Sequence, residues 1–142
     1  MNLAFFLKPK SEVLYLYDDM SLAEALEALR SGGYSSVPVI SREGLYVSTV
    51  SEGDFLWALA QTDGAHLRLT PARAAEKLRL RDALRRDRNP PCPIDLAVES
   101  LLLRTTEQNF VPVVDDRGVF IGIVTRRAVL SYFLNHPAFG KN

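Results

Sequence analysis

The sequence predicts an α/β (α+β) fold made of two tandem copies of one unit, strand-helix-strand-strand-helix. Three observations lead there. Val37-Pro38-Val39 recurs as Val111-Pro112-Val113, an offset of 74 residues (111 − 37), and in that register, taken without a gap, Leu22 meets Leu96, Gly44 meets Gly118, Val50 meets Val124, Ser51 meets Thr125, Leu56 meets Leu130 and Leu59 meets Phe133. Each copy carries two β-rich runs joined by a polar turn that ends in Gly. A hydroxyl residue then follows each pair of runs and opens an apolar stretch of helical spacing. At 142 residues and 47% hydrophobic content, one such pair supplies a sizeable core, and a single domain is expected.

Val13 to Tyr17 reads as the opening strand of the first copy. Ser21 is placed to cap a helix whose apolar positions Leu22, Ala25, Leu26 and Leu29 recur at helical spacing, and Gly32-Gly33 ends it. Ser36 to Ile40 and Leu45 to Val50 form a hairpin across Ser41-Arg42-Glu43-Gly44. Ser51 caps a second helix running to about Ala60, with Phe55, Leu56 and Leu59 facing inward. The second copy repeats this with Pro93 to Ile94, a helix from about Leu96 to Thr105, a hairpin from Phe110 to Val124 around Asp115-Asp116-Arg117-Gly118, and a helix from about Arg126 to Leu134. Glu99 and Ser100 stand where the first copy has Ala25 and Leu26, so the core face of that helix is open. The repeats are expected at 1–62 and 79–142, with 63–78 connecting them. Thr62 to Thr70 is polar and irregular, and from Pro71 a charged helical stretch is expected to about Arg88. Arg73 to Arg88 holds seven bases and three acids, net +4. Such a run reads as a solvated helix face, with an anion-binding or partner-docking surface as the alternative.

Seventeen Lys plus Arg balance seventeen Asp plus Glu, so there is no bulk cationic field for nucleic acid or an anionic membrane. The single Cys92 can form neither an intrachain disulfide nor a zinc cluster, which suits a reducing cytosol, and His66 and His136 add no metal spacing. Met1 to Leu7 is apolar but short, lacks a basic leader and meets Lys8 at once, so it does not read as a signal peptide. No apolar run approaches the roughly 18 residues a bilayer requires. A cytoplasmic, soluble protein is expected.

The amphipathic helix, the Gly33-Tyr34-Ser35-Ser36-Val37-Pro38-Val39 approach to the central strand, the Gly-ended hairpin and the hydroxyl residue opening the next helix resemble the CBS domain. From about Phe5 to Leu134 the tandem pair is similar to what that family calls a Bateman module, and to small bacterial nucleotide-sensing CBS-pair proteins, some of which sense cyclic di-AMP. The resemblance implies two repeats packed as a pseudo-twofold pair, with a cleft that in many members holds adenine nucleotides. It also implies a homodimer and a regulated partner protein; no cofactor is expected. In the family, a Ser/Thr-x-x-Asp pattern places a hydroxyl on phosphate and a carboxylate on the ribose hydroxyls, and Ser51-Glu52-Gly53-Asp54 matches it. By the same resemblance, Tyr34, Ser36, Val37 and Pro38, and Asn109, Phe110 and Pro112, would offer backbone groups and apolar walls to adenine. Tyr34, Val37 and Phe110, like Tyr15 and Tyr17 on the opening strand, are equally good core residues.

The residues support this chemistry in their own right. A hydroxyl at a helix start lies beside free N–H groups and the positive end of the helix dipole, an ionised carboxylate accepts two ribose hydroxyl protons, and Gly53 permits close approach to the backbone. The same spacing is also that of a capping box, in which Ser51 and Asp54 satisfy only their own helix turn. The second repeat departs from the pattern: Thr125-Arg126-Arg127-Ala128 has Ala128 in place of the carboxylate. Two arginines in a first turn oppose the dipole unless an anion sits against them, so Arg126 and Arg127 are candidates for phosphate, or for pairing with Asp115 or Glu107. No nucleophile-base pair, carboxylate pair or metal cluster emerges; Glu52 and Asp54 point to different faces and His66 lies in an expected loop. The function expected is a regulatory module binding AMP, ADP or ATP, with a cyclic di-AMP sensor or a ligand-free interaction scaffold as alternatives. Surplus apolar residues on the last helices (Phe55, Leu56, Trp57 and Leu59; Val129, Leu130, Tyr132, Phe133 and Leu134) place the dimer contact there.

Overall fold

The structure, a computed structural model, describes residues 2–63, 66–69 and 77–135. In chain order it contains β1 (Lys8–Pro9), β2 (Leu16–Tyr17), α1 (Leu22–Gly32), β3 (Ser36–Ile40), β4 (Tyr46–Ser51), α2 (Glu52–Leu59), β5 (Ala60–Asp63), β6 (His66–Leu69), β7 (Cys92–Pro93), α3 (Val98–Glu107), β8 (Phe110–Val114), β9 (Phe120–Thr125) and α4 (Arg126–Asn135). The mixed α/β class and the doubled unit are as the sequence predicts. Two compact units form, one of Leu14–Arg88 and one of the described residues up to Val13 with those from Asn89 onward. The boundaries 1–62, 63–78 and 79–142 are expected from sequence order, and the compact units do not coincide with them.

In the first unit β2, β3 and β4 form one sheet, β2 parallel to β3 and β3 antiparallel to β4, with Ser36 opposite Ser51 and Val37 opposite Val50. Helix α1 begins where the Ser21 hydroxyl accepts the Glu24 N–H at 3.1 Å and ends at Gly33, whose φ of 71° is the left-handed conformation glycine adopts without strain. Its buried face is Leu22, Ala25 and Leu29. Withdrawing each of these leucines from water stabilises the unit by roughly 1.5–3 kcal/mol.

Three expectations are corrected here. Leu56, expected to face inward, is 61% exposed while Phe55 is 1% exposed, because an eight-residue helix presents one buried stripe and Phe55 occupies it. The polar segment after α2 is a hairpin, Ala60 opposite Leu69 and Asp63 opposite His66, so His66 opens a strand and not a loop; the alternation of Leu67 and Leu69 with polar neighbours is its period-two signature. The charged helix expected to reach Arg88 does not: Lys77 is still helical, but residues 78–88 leave the helix, and its part before Lys77 lies outside the described residues. Leu22 N–H donates to Leu78 O and Leu80 N–H to Met20 O, both at 2.8 Å, and a short 3-10 turn follows at Leu80–Ala83. This extended path puts Leu80 and Ala83 into the core beside Leu22 and Phe55, which a continuous surface helix could not do.

The second unit orders its sheet β1-β9-β8-β7 and repeats the hairpin register, Phe110 opposite Thr125 and Val111 opposite Val124. The gapless repeat register fails further upstream. Cys92 stands against Val113 as Leu16 stands against Val39, an offset of 76 (92 − 16), while the hairpins keep 74. Two residues are therefore missing between α3 and β8, and the structural counterparts of Ala25 and Leu29 are Leu101 and Thr105, both buried, not Glu99 and Leu103. Leu103 is 70% exposed. Buried Thr105 satisfies its hydroxyl on Leu102 O at 2.8 Å. The amino-terminal segment completes this core. Leu3 and Phe6 pack with Cys92, Leu101, Val111 and Val124, and β1 lies antiparallel on β9 with Pro9 opposite Gly122.

Candidate functional site

The four residues of Ser51-Glu52-Gly53-Asp54 form the start of α2, directly after β4. Asp54 reaches back as a capping box: Ser51 N–H and Ser51 Oγ both donate to its Oδ2, at 2.9 and 3.0 Å. Arg88 donates from one terminal nitrogen to Oδ1 at 2.9 Å and from the other to Ser51 Oγ at 3.1 Å, and Arg85 Nε ion-pairs with the same Oδ1 at 3.2 Å. The Asp54 side chain is 1% exposed, against 36% for Arg88 and 54% for Arg85. The carboxylate is thus buried and compensated, as a buried charge requires. Gly53 is exposed, and a Cβ there would meet only Ser51 Oγ, at 3.8 Å.

Arg85 and Arg88 carry no motif, and their charged run reads as a solvated helix face, with an anion-binding or partner-docking surface as the alternative. Their backbone is also anchored: Ser48 Oγ donates to Arg85 O at 3.0 Å and Tyr46 Oη to Arg88 O at 3.4 Å. More than thirty positions separate them from Asp54, so no local spacing signals the contact. The net positive charge of the run was the one available hint.

At the start of α4 the Thr125 hydroxyl accepts the Ala128 N–H at 3.0 Å. Arg126 does not meet an acid. Its Nε donates to Thr105 O at 2.7 Å and a terminal nitrogen to Thr106 O at 3.4 Å, so its charge lies on the last carbonyls of α3, the negative end of that helix. Asp115 is engaged in its own turn, accepting Arg117 N–H at 2.8 Å and Val119 N–H at 2.9 Å. The Val119 N–H, above all, holds its carboxyl below the usual range, with smaller help from Arg117. Among the described residues Arg127 is exposed and has no hydrogen-bond or ion-pair partner.

Both helix starts are fixed to the approach to the central strand in one way. Glu52 N–H donates to Ser35 O at 3.1 Å, and Arg126 N–H to Asn109 O at 2.9 Å. Around these points Ser36 is half-buried, Asn109 exposed, and Val37, Pro38, Phe110 and Pro112 buried. Tyr34 is 46% exposed and lies over Gly32, where a Cβ would come within 2.8 Å of its ring. Tyr15 and Tyr17 meet edge to face at 5.8 Å, and the Arg42 guanidinium stacks 3.9 Å from the centre of the Tyr17 ring while binding Asp19 at 2.9 Å. Among the described residues no cluster of His, Cys, Asp and Glu could hold a metal ion, and no helix is long and apolar enough to cross a membrane.

The doubled unit, with a hydroxyl-capped helix after each hairpin, is matched by the CBS domain over residues 7–61 and 87–135, and the chain belongs to that family as a tandem pair. Among solved structures it is similar to CbpB of Listeria monocytogenes in complex with c-di-AMP, at 26% identity and a TM-score of 0.81, covering 96% of this chain and 97% of that one. A hypothetical conserved protein of Geobacillus kaustophilus shares 25% identity at a TM-score of 0.83, covering 96% and 98%. A further CbpB solved with c-di-AMP shares the fold at a TM-score of 0.84 and 24% identity, covering 100% and 91%. No curated protein matches the chain.

Proposed function

We propose that this chain is a regulatory nucleotide-sensing module that binds an adenine nucleotide and passes the bound state to a partner protein, and that its ligand is cyclic di-AMP. The observation that carries the choice is Arg127. An unpaired guanidinium in a helix's first turn opposes the helix dipole, which is unfavourable until an anion such as a phosphate arrives. Cyclic di-AMP brings two phosphodiesters, and the Listeria CbpB similar to this chain was solved with it. The proposed contacts are, in the first unit taken by itself, the helix start at Ser51 and Gly53 with Tyr34 to Pro38, and, in the second taken by itself, the helix start at Thr125 and Arg127 with Asn109 to Pro112. The linear nucleotides AMP, ADP and ATP are the second reading, favoured by the complete Ser51 to Asp54 motif.

Calorimetry with cyclic di-AMP, AMP, ADP, ATP and S-adenosylmethionine tests this. Wild type should prefer cyclic di-AMP, and Arg127→Ala should weaken it by about 1.5–3 kcal/mol, the scale of a hydrogen bond to a charged group. Tighter binding of a linear nucleotide supports the second reading; no binding of any ligand leaves the interaction scaffold. We also propose a cytoplasmic homodimer formed through the last helix of each repeat, where Leu56, Trp57, Leu130 and Leu134 are 56–80% exposed. Light scattering that gave a monomer at micromolar concentration would refute it.

A further inference from the structure

We infer that Arg85 and Arg88 are specificity-determining residues that close Asp54 to the ribose of a linear nucleotide; the inference rests on the nucleotide-sensing reading above. A carboxylate has two oxygens and about four lone-pair positions. At Asp54 Ser51 N–H and Oγ hold Oδ2, and Arg88 and Arg85 hold Oδ1. With its side chain 1% exposed, no acceptor position remains for a ribose diol. The Oδ2 contacts belong to the cap of α2, so a ribose can enter only by taking Oδ1 from the two guanidinium groups.

Those groups are not easily moved. Arg88 bridges Asp54 and Ser51 together, and the carbonyls of Arg85 and Arg88 are pinned by Ser48 and Tyr46. Their outer faces remain in solvent, so a phosphodiester can approach them without breaking the Asp54 contacts. The pair therefore disfavours a ligand that needs a carboxylate and leaves one that needs cations unhindered. In the second repeat Ala128 removes the carboxylate altogether.

The test measures AMP and cyclic di-AMP affinity by calorimetry for wild type, Arg88→Ala, Arg88→Lys and Arg85→Ala, each first checked for a cooperative thermal transition. Arg88→Ala should shift the affinity ratio towards AMP by about tenfold or more, the weight of one hydrogen bond to a charged group, and Arg88→Lys should stay near the wild-type ratio. A merely structural role would lower both affinities together and leave the ratio unmoved. If Arg88→Ala does not fold, Arg85→Ala, which keeps the Arg88 contact, should show a smaller shift in the same direction. A ratio unchanged in the folded variants, with cyclic di-AMP still bound by wild type, overturns this assignment alone. Failure of wild type and all variants to bind either ligand overturns the nucleotide reading and the assignment with it.

Discussion

Replacing Gly53 by alanine should raise stability and lower ligand affinity at once, a combination few substitutions produce. Gly53 is the second residue of α2, it is exposed, and its backbone is not among those with positive φ. An added Cβ meets ordinary van der Waals distance, 3.8 Å, from Ser51 Oγ. The fold therefore places no demand for glycine there. Alanine removes unfolded-chain entropy and improves helix propensity, an effect of about 0.5–1 kcal/mol within a helix. For a chain of this size that corresponds to a rise in Tm of about 2–4 °C. If a phosphate rests against the first turn of α2, the same methyl occupies its path, and affinity should fall about tenfold or more. Thermal unfolding without ligand gives the first quantity and calorimetry with cyclic di-AMP the second. A variant that is more stable and binds as wild type does would show that no ligand closely approaches this turn, and Gly53 would leave the proposed site.

Three further outcomes are expected. Gly122→Ala should destabilise the second unit, because its Cβ would lie 2.2 Å from Lys8 O and must push β1 away, at about 1.5–3 kcal/mol for each of Leu3 and Phe6 that leaves the core. Urea unfolding checks this, and deleting residues 1–7 in that background should cost little more. Arg126→Ala should destabilise by about 0.3–1 kcal/mol by uncapping α3, whereas Arg127→Ala should leave stability within about 0.5 kcal/mol of wild type. Burial pushes the Tyr46 phenol up to about 12, partly offset by its hydrogen bond with Thr49. An unfolded tyrosine ionises near pH 10, so the folded state holds the proton longer and stability is full below pH 10 and declines as pH rises towards 12. Tyr46→Phe should flatten the unfolding free energy over that window.

The hairpins and α1 are legible because their signals are local: a period-two run, a Gly-ended turn, Ser21 as a cap before the helical spacing of Leu22, Ala25 and Leu29, and Gly32-Gly33 as the stop. What was missed is non-local. The gapless register holds through both hairpins, where the two-residue loss between α3 and β8 leaves no trace, so Leu101 and Thr105 were not seen as the core face. The path of residues 78–88 depends on Leu80 entering the core of Leu22 and Phe55, and the charges around it outweigh that single leucine. Leu3 and Phe6 looked like the opening of the first repeat because sequence order cannot reveal that β1 pairs with β9. At the candidate site the motif Ser51 to Asp54 was readable, but not the arginines that occupy its carboxylate.

The two repeats keep one backbone arrangement and differ in side-chain chemistry, and this difference bears on the ligand. Glu52 N–H on Ser35 O and Arg126 N–H on Asn109 O fix α2 and α4 alike, so each repeat keeps a capped helix start against the central strand. In the first repeat the acid at the third helical position is neutralised by its own unit. In the second, Ala128 leaves no acid to neutralise, Arg126 turns to the carbonyls of α3, and Arg127 stays free among the described residues. The motif carboxylate is thus engaged in one repeat and missing in the other, whereas exposed cations are present in each: Arg85 and Arg88 in the first unit, Arg127 in the second. Sequence alone favours the linear nucleotide because it displays the acid without its partners; the partners of Asp54 are one reason for proposing the phosphodiester instead.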